Sequence, residues 1–166
     1  EKCSVQDVNV KALQQHLTNN PLADGSTAEV LVDDANAAII SGHWKKETTG
    51  AYGPSMLLTD SKEPGYVRFT PQIKTAGKYH VYFYYPRLQN GADFLQINIY
   101  DGTSSKIKTI QNKEVKISGQ TSGEWVSLGV YSLPHGKKSH VEISNKEASG
   151  AIAADAVLFV PEFQSK

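Results

Sequence analysis

Gly77-Lys78-Tyr79-His80-Val81-Tyr82-Phe83-Tyr84-Tyr85-Pro86 decides how this chain is read: a glycine, a dense run of aromatic and β-branched residues, then a proline. Rings and β-branched side chains suit a pleated, half-buried surface, and strand side chains alternate between two faces. Tyr79, Val81, Phe83 and Tyr85 therefore share one face, and His80, Tyr82 and Tyr84 the other. The first set is predicted to be core. The second is either an open aromatic platform or a face covered by packing, and the residues alone leave both readings open.

Upstream of this strand, Gly65 to Thr70 alternates, with Val67 and Phe69 on one face, and Pro71 stops it. Downstream, Phe94 to Tyr100 sets Leu95, Ile97 and Ile99 together, and Asp101-Gly102 is a hairpin signal. Ser105 to Ile110 and Lys113 to Ile117 read as weaker, polar strands whose lysines blunt a sheet edge. Trp125 to Leu133, Ser139 to Ser144 and Ala151 to Val160 complete the series. The last is apolar on both faces apart from Asp155, as expected of a strand in the middle of a sheet. Before the opening strand, Glu29 to Asp33 turns Val30 and Val32 inward, Asp34-Ala35-Asn36 is a turn, and Gly42 to Thr48 is a short strand bearing Trp44. Thr49 to Ser55 is a Gly/Pro loop. About nine or ten short strands with turn signals between them predict an all-β fold, a jelly-roll-type antiparallel β-sandwich over residues 28–166. Residues 1–27 differ: Val5, Val8, Leu13 and Leu17 are spaced as a short N-terminal helix, and Asn19-Asn20-Pro21 and Asp24 to Thr27 form a linker.

The totals narrow the function classes. Seventeen Lys plus Arg balance seventeen Asp plus Glu, so no net field draws the chain to nucleic acid or an anionic membrane. No apolar run approaches the roughly 20 residues of a membrane span, and the start shows no signal-peptide pattern. Cys3 is the single cysteine, which rules out disulfides within the chain and cysteine-rich zinc sites. Catalytic signatures are missing too. The acids Glu47, Asp60, Glu63 and Glu124 lie in loop-like contexts, His16, His43, His80, His135 and His140 form no zinc motif, and there is no Gly-x-Ser-x-Gly or phosphate loop.

Several landmarks follow one another in order: Val32-Asp33-Asp34, Gly42-His43-Trp44, Tyr52-Gly53, Ala76 to Tyr82 ending in Tyr85-Pro86, Gly123 to Tyr131, Val141 to Asn145 and Ala153-Ala154-Asp155-Ala156-Val157-Leu158-Phe159. This ordered set, over roughly residues 30–160, resembles the carbohydrate-binding-like C-terminal domain of golvesin and xanthan-lyase-type proteins. The family often has Asn where this chain has Asp34, and the stretch from Asp101 to Gln120 is longer and more basic here. The resemblance implies a non-catalytic β-sandwich at the end of a larger secreted bacterial protein, a xanthan lyase or flavin-dependent oxidoreductase among them. Residues 1–27 would then be the tail of an upstream domain, the partner a polysaccharide or oligosaccharide, and the location secreted, periplasmic or cell-surface. The competing reading is a structural module that docks on its upstream domain or on a protein partner.

Sugars stack their C–H faces on rings while polar groups pair with their hydroxyls. Trp44, Tyr52, His80, Tyr82, Tyr84 and Trp125 are the candidate ligand contacts, with core packing the competing role for Trp44 and Trp125. No cofactor is expected apart from calcium. Asp155, in an apolar run, needs a partner: either backbone N–H groups or a basic side chain, or a calcium ion shared with Asp33 or Asp34.

Overall fold

The computed structural model describes residues 29–117 and 122–162, which form an all-β sandwich of twelve short strands. The helix expected over Val5 to Leu17 lies outside the described residues. Three antiparallel sheets are present. The first has four strands in the order β1 (Val30–Asp33), β12 (Ala156–Pro161), β6 (Gly77–Pro86) and β9 (Gly123–Leu133). The second has five: β2 (Ala38–Ser41), β5 (Tyr66–Phe69), β10 (His140–Ser144), β7 (Phe94–Tyr100) and β8 (Ser105–Gln111). A small third sheet joins β11 (Ile152–Ala154), β4 (Met56–Thr59) and β3 (Lys45–Glu47).

The opening strand lies inside its sheet, between β12 and β9, and the alternation holds. Tyr79, Val81, Phe83 and Tyr85 enter one core cluster with Val157 and Phe159 of the same sheet, Val67, Leu95, Ile97 and Ile143 of the five-stranded sheet, and Leu57 and Ile152 of the third. Each strand contributes every second side chain, so the two larger sheets bury their apolar faces against a shared interior. Strand β12 is buried along its whole length and sits between β1 and β6, as its two-sided apolarity predicts.

Strand β9 keeps its pairing with β6 through a bulge. Tyr82 faces Ser127 and Val81 faces Gly129, so Leu128 is the extra residue. Gly129 has φ +111°, a conformation that costs L side chains, and the Tyr131 hydroxyl reaches back to donate to the Leu128 carbonyl at 2.5 Å.

Two expectations change, and one strand is added. The run from Ala151 to Val160 divides at Asp155, its first part pairing with β4 and its second with β1 and β6. Lys113 to Ile117 is not a strand: Asn112–Glu114 make a 3₁₀ turn. Asn112 is drawn away from the ladder, its backbone N–H donating to the Asp93 carbonyl at 2.7 Å and its side chain to the Tyr85 hydroxyl at 2.9 Å. Met56-Leu57-Leu58-Thr59, which lacks alternation, forms β4, buried on both faces at three of its four positions.

Candidate functional site

Asp155 stands at the corner where the chain leaves the small sheet for the four-stranded one. Because Asp33 pairs with Ala156, the end of β1 arrives beside that corner and brings Asp34 with it. The carboxylates of Asp33, Asp34 and Asp155 each place an oxygen within 4.8 Å of the other two. The Gly/Pro loop closes over them. The Tyr52 N–H donates to Asp155 Oδ2 at 2.8 Å, the Ser55 hydroxyl to Asp34 Oδ2 at 2.8 Å, and the Asp34 N–H to Asp33 Oδ1 at 2.9 Å. Gly53 passes so close that a Cβ there would lie 2.7 Å from Asp33 Oδ2, which is why the loop carries no side chain at that point.

These contacts leave the cluster short of partners. Among the described residues Asp34 Oδ1 and Asp155 Oδ1 are buried and find no hydrogen-bond donor, and the contacts between basic and acidic side chains lie elsewhere, Arg68 with Glu142 and the His43 ring 3.5 Å from Glu63. Asp155 is fully buried, and that burial, helped by the charges of Asp33 and Asp34 and opposed by the Tyr52 N–H, pushes its carboxyl up to about 7. Burial likewise raises Asp33. Two unit charges about 4.8 Å apart repel by roughly 3 kcal/mol at an effective dielectric of about 20, so the trio calls for a proton or a cation. An all-oxygen donor set suits a hard divalent ion such as calcium. Of the partners expected for Asp155, it has a backbone N–H on one oxygen, and among the described residues no donor reaches the other.

Next to the acids stands an aromatic group. The rings of Tyr52, Tyr84 and Trp125 lie 5.0 to 5.2 Å apart, steeply inclined to one another. Tyr84 is 0% and Trp125 8% exposed, and with Ala156, Leu158 and Val160 they form a second apolar cluster on the outer face of the four-stranded sheet. Tyr84 shares a 2.5 Å hydrogen bond with the Ser122 hydroxyl. Neither of these two buried rings offers an open face for stacking; Trp125 does line a groove of about 340 Å³ with Glu124 and Lys116. Burial raises the Glu124 carboxyl, and its Oε1 has no hydrogen-bond partner among the described residues. Tyr52 is half-buried against the two rings. Further along the same face His80 stacks on half-buried Tyr82, with centroids 6.3 Å apart and planes inclined by 15°. Trp44 belongs to neither group: it packs on the main core and donates from Nε1 to the Ser41 carbonyl at 2.9 Å.

A second concavity, of about 220 Å³, runs over the outer face of the five-stranded sheet, bordered by Tyr66, Gln96, Asn98, Ile107, Glu142 and Lys146. These residues were not among the sequence candidates. The signal was available: if Leu95, Ile97 and Ile99 point inward, Gln96 and Asn98 must point out.

The family model described as the golvesin C-terminal domain matches residues 30–161. Xanthan lyase of Bacillus sp. (strain GL1) is 31% identical over 154 residues, which is 86% of this chain and 16% of that protein. The chain thus spans about a sixth of the length of this curated relative. Among solved structures, a Paenibacillus xanthan lyase superposes with a TM-score of 0.69 at 24% identity, over 82% of this chain and 13% of that one. A family 35 carbohydrate-binding module from Clostridium thermocellum gives 0.53 at 15% identity, over 81% and 99%. At such identities these two likenesses speak for the fold alone, whereas the family match covers the whole sandwich. By that match, this chain belongs to the golvesin C-terminal domain family.

Proposed function

We propose that this chain is a non-catalytic carbohydrate-binding accessory domain of a secreted bacterial protein that acts on polysaccharide. One observation carries the reading: over 86% of its length the chain is 31% identical to a xanthan lyase of which it matches only 16%, so its counterpart is a part of a polysaccharide-cleaving protein. The ring contacts proposed are Tyr52, the stacked pair His80 and Tyr82, and the edge of Trp125 at its groove, with Tyr84 backing them. Affinity electrophoresis of the full 166-residue chain through gels containing xanthan, β-1,4-mannan or β-1,3-galactan tests the reading. Retardation by at least one polymer is expected. Unchanged migration in all three overturns it.

Asp33, Asp34 and Asp155 are proposed to hold a calcium ion that ties the first strand to the last. The support is the pair of buried oxygens without partners in an all-carboxylate cluster. A melting temperature that rises with added calcium and falls with EDTA is expected, and an indifferent one removes the ion from the account.

A docking role has its own observation. Leu31 and Val130, 43% and 42% exposed, lie on the outer face of the four-stranded sheet, where a neighbouring domain would cover them.

A further inference from the structure

The outer face of the five-stranded sheet is ordered in rows. Tyr66 on β5 pairs with Ser144 on β10, Ser144 with Gln96 on β7, and Gln96 with Thr109 on β8. The next outward row runs Arg68, Glu142, Asn98, Ile107. Directly opposed residues share a face, so the two rows stand side by side, and all their members but Arg68 and Thr109 line the 220 Å³ groove.

The chemistry of the rows is specific. Arg68 donates from Nε to Glu142 Oε2 at 2.8 Å, so the two charges compensate each other and fix one carboxylate oxygen. Neither side-chain amide, Gln96 nor Asn98, has a hydrogen-bond partner among the described residues, although both are half-buried at the centre of the face. Ile107 is 68% exposed, the most open of the large apolar residues described, and it stands beside Asn98. A protein partner would favour a broad apolar centre and a polyanion a cluster of unpaired cations, whereas Lys146 is the single cation of this lining without an ion pair among the described residues. An amide donates and accepts at once, which matches a sugar hydroxyl, and a lone aliphatic side chain with a tyrosine ring suits the C–H face of a pyranose.

We propose that this groove is a glycan site, separate from the rings of the four-stranded sheet. It takes a short stretch of an oligosaccharide laid across β5, β10, β7 and β8. Three strand spacings of about 4.8 Å give it a span of roughly 14 Å. Gln96, Asn98 and the free oxygen of Glu142 read the hydroxyls, and Ile107 and Tyr66 support the ring. The inference rests on the carbohydrate-binding reading above and adds where on the molecule the sugar lies.

Side-chain amides give their own NMR signals, so the test is direct. The ¹⁵N-labelled chain is titrated with short oligosaccharides prepared from xanthan, β-1,4-mannan and β-1,3-galactan, and the titration is repeated with the double variant Gln96→Ala/Asn98→Ala and with Ile107→Lys. The side-chain amide signals of Gln96 and Asn98 are expected to shift with at least one probe. The double variant should bind that probe at least tenfold more weakly while keeping the wild-type melting temperature. Binding that moves only signals from elsewhere, or that survives both variants, overturns this site and leaves the carbohydrate reading standing. Absence of binding to every probe overturns both.

Discussion

Asp155 is held by one backbone N–H, faces two other carboxylates and lies wholly inside the protein. Its carboxyl titrates near 7 in the fold against 3.8 for an ordinary aspartate, so between these values the folded chain keeps a proton that the unfolded chain has lost. Folding takes up a proton in that window, and stability must fall as pH rises through it. In EDTA the melting temperature is expected to decline from about pH 4 to about pH 7 and to level off above, a change of up to about 4 kcal/mol at 1.4 kcal/mol per pKa unit. Saturating calcium should flatten that decline, because the cation replaces the proton as the compensating charge. A melting temperature that climbs across the same range in EDTA would show that Asp155 is not raised. Asp155→Asn removes one charge at constant shape. At pH 8 without calcium it should melt no lower than the wild type, and calcium should no longer raise its melting temperature.

At the scale of the strand, the bulge at Leu128 and Gly129 shifts the register of β9 against β6 by one residue while the two strands stay paired on either side. Gly129→Ala places a Cβ at φ +111° and 3.2 Å from the Tyr131 hydroxyl, and should cost about 1–3 kcal/mol in urea unfolding. A cost near zero would mean that the bulge tolerates an ordinary residue. On edge strand β8, Lys106 and Lys108 pair with Ile99 and Ile97, so they extend the core-facing side of the sheet yet remain exposed. Charges set there keep another chain from pairing with the edge. Lys106→Val/Lys108→Val is expected to fold and then self-associate, visible as light scattering that grows with concentration. Much of this was legible from alternation. Phe94 to Tyr100 and Val141 to Ile143 showed period two, because one side of their sheet is apolar and the other is polar, whereas Tyr79 to Tyr85 reads as a strand by its β-favouring rings, since both of its faces are aromatic. Strand β4 was hidden because Met56, Leu57 and Thr59 are all buried and leave no period to read. The acid trio could be named from sequence, since a carboxylate in an apolar run stands out. For the groove of the five-stranded sheet only the outward direction of Gln96 and Asn98 could be read, from the inward Leu95, Ile97 and Ile99; that they border a groove could not, since such residues are what any solvent-facing strand position shows.

For the whole molecule, one core cluster draws on all three sheets, so the sandwich should unfold as a unit. Phe83, fully buried at the middle of β6, is the sensitive point: Phe83→Ala is expected to cost about 3–5 kcal/mol and to lower the single transition without splitting it. Two separate transitions by circular dichroism and tyrosine fluorescence would show that the sheets hold independently. The pairing of β1 with β12 reaches further. Val30 lies opposite Phe159, so the chain enters and leaves the sandwich at the same end of one antiparallel ladder, while Asp33 and Ala156 form its far rung beside the acid cluster. Tension applied through the two ends would open that ladder rung by rung, like a zipper, with no shearing of the whole pair at once. Such a fold yields at low force, and the carboxylate pocket is the last tooth, where a bound cation would act as the stop.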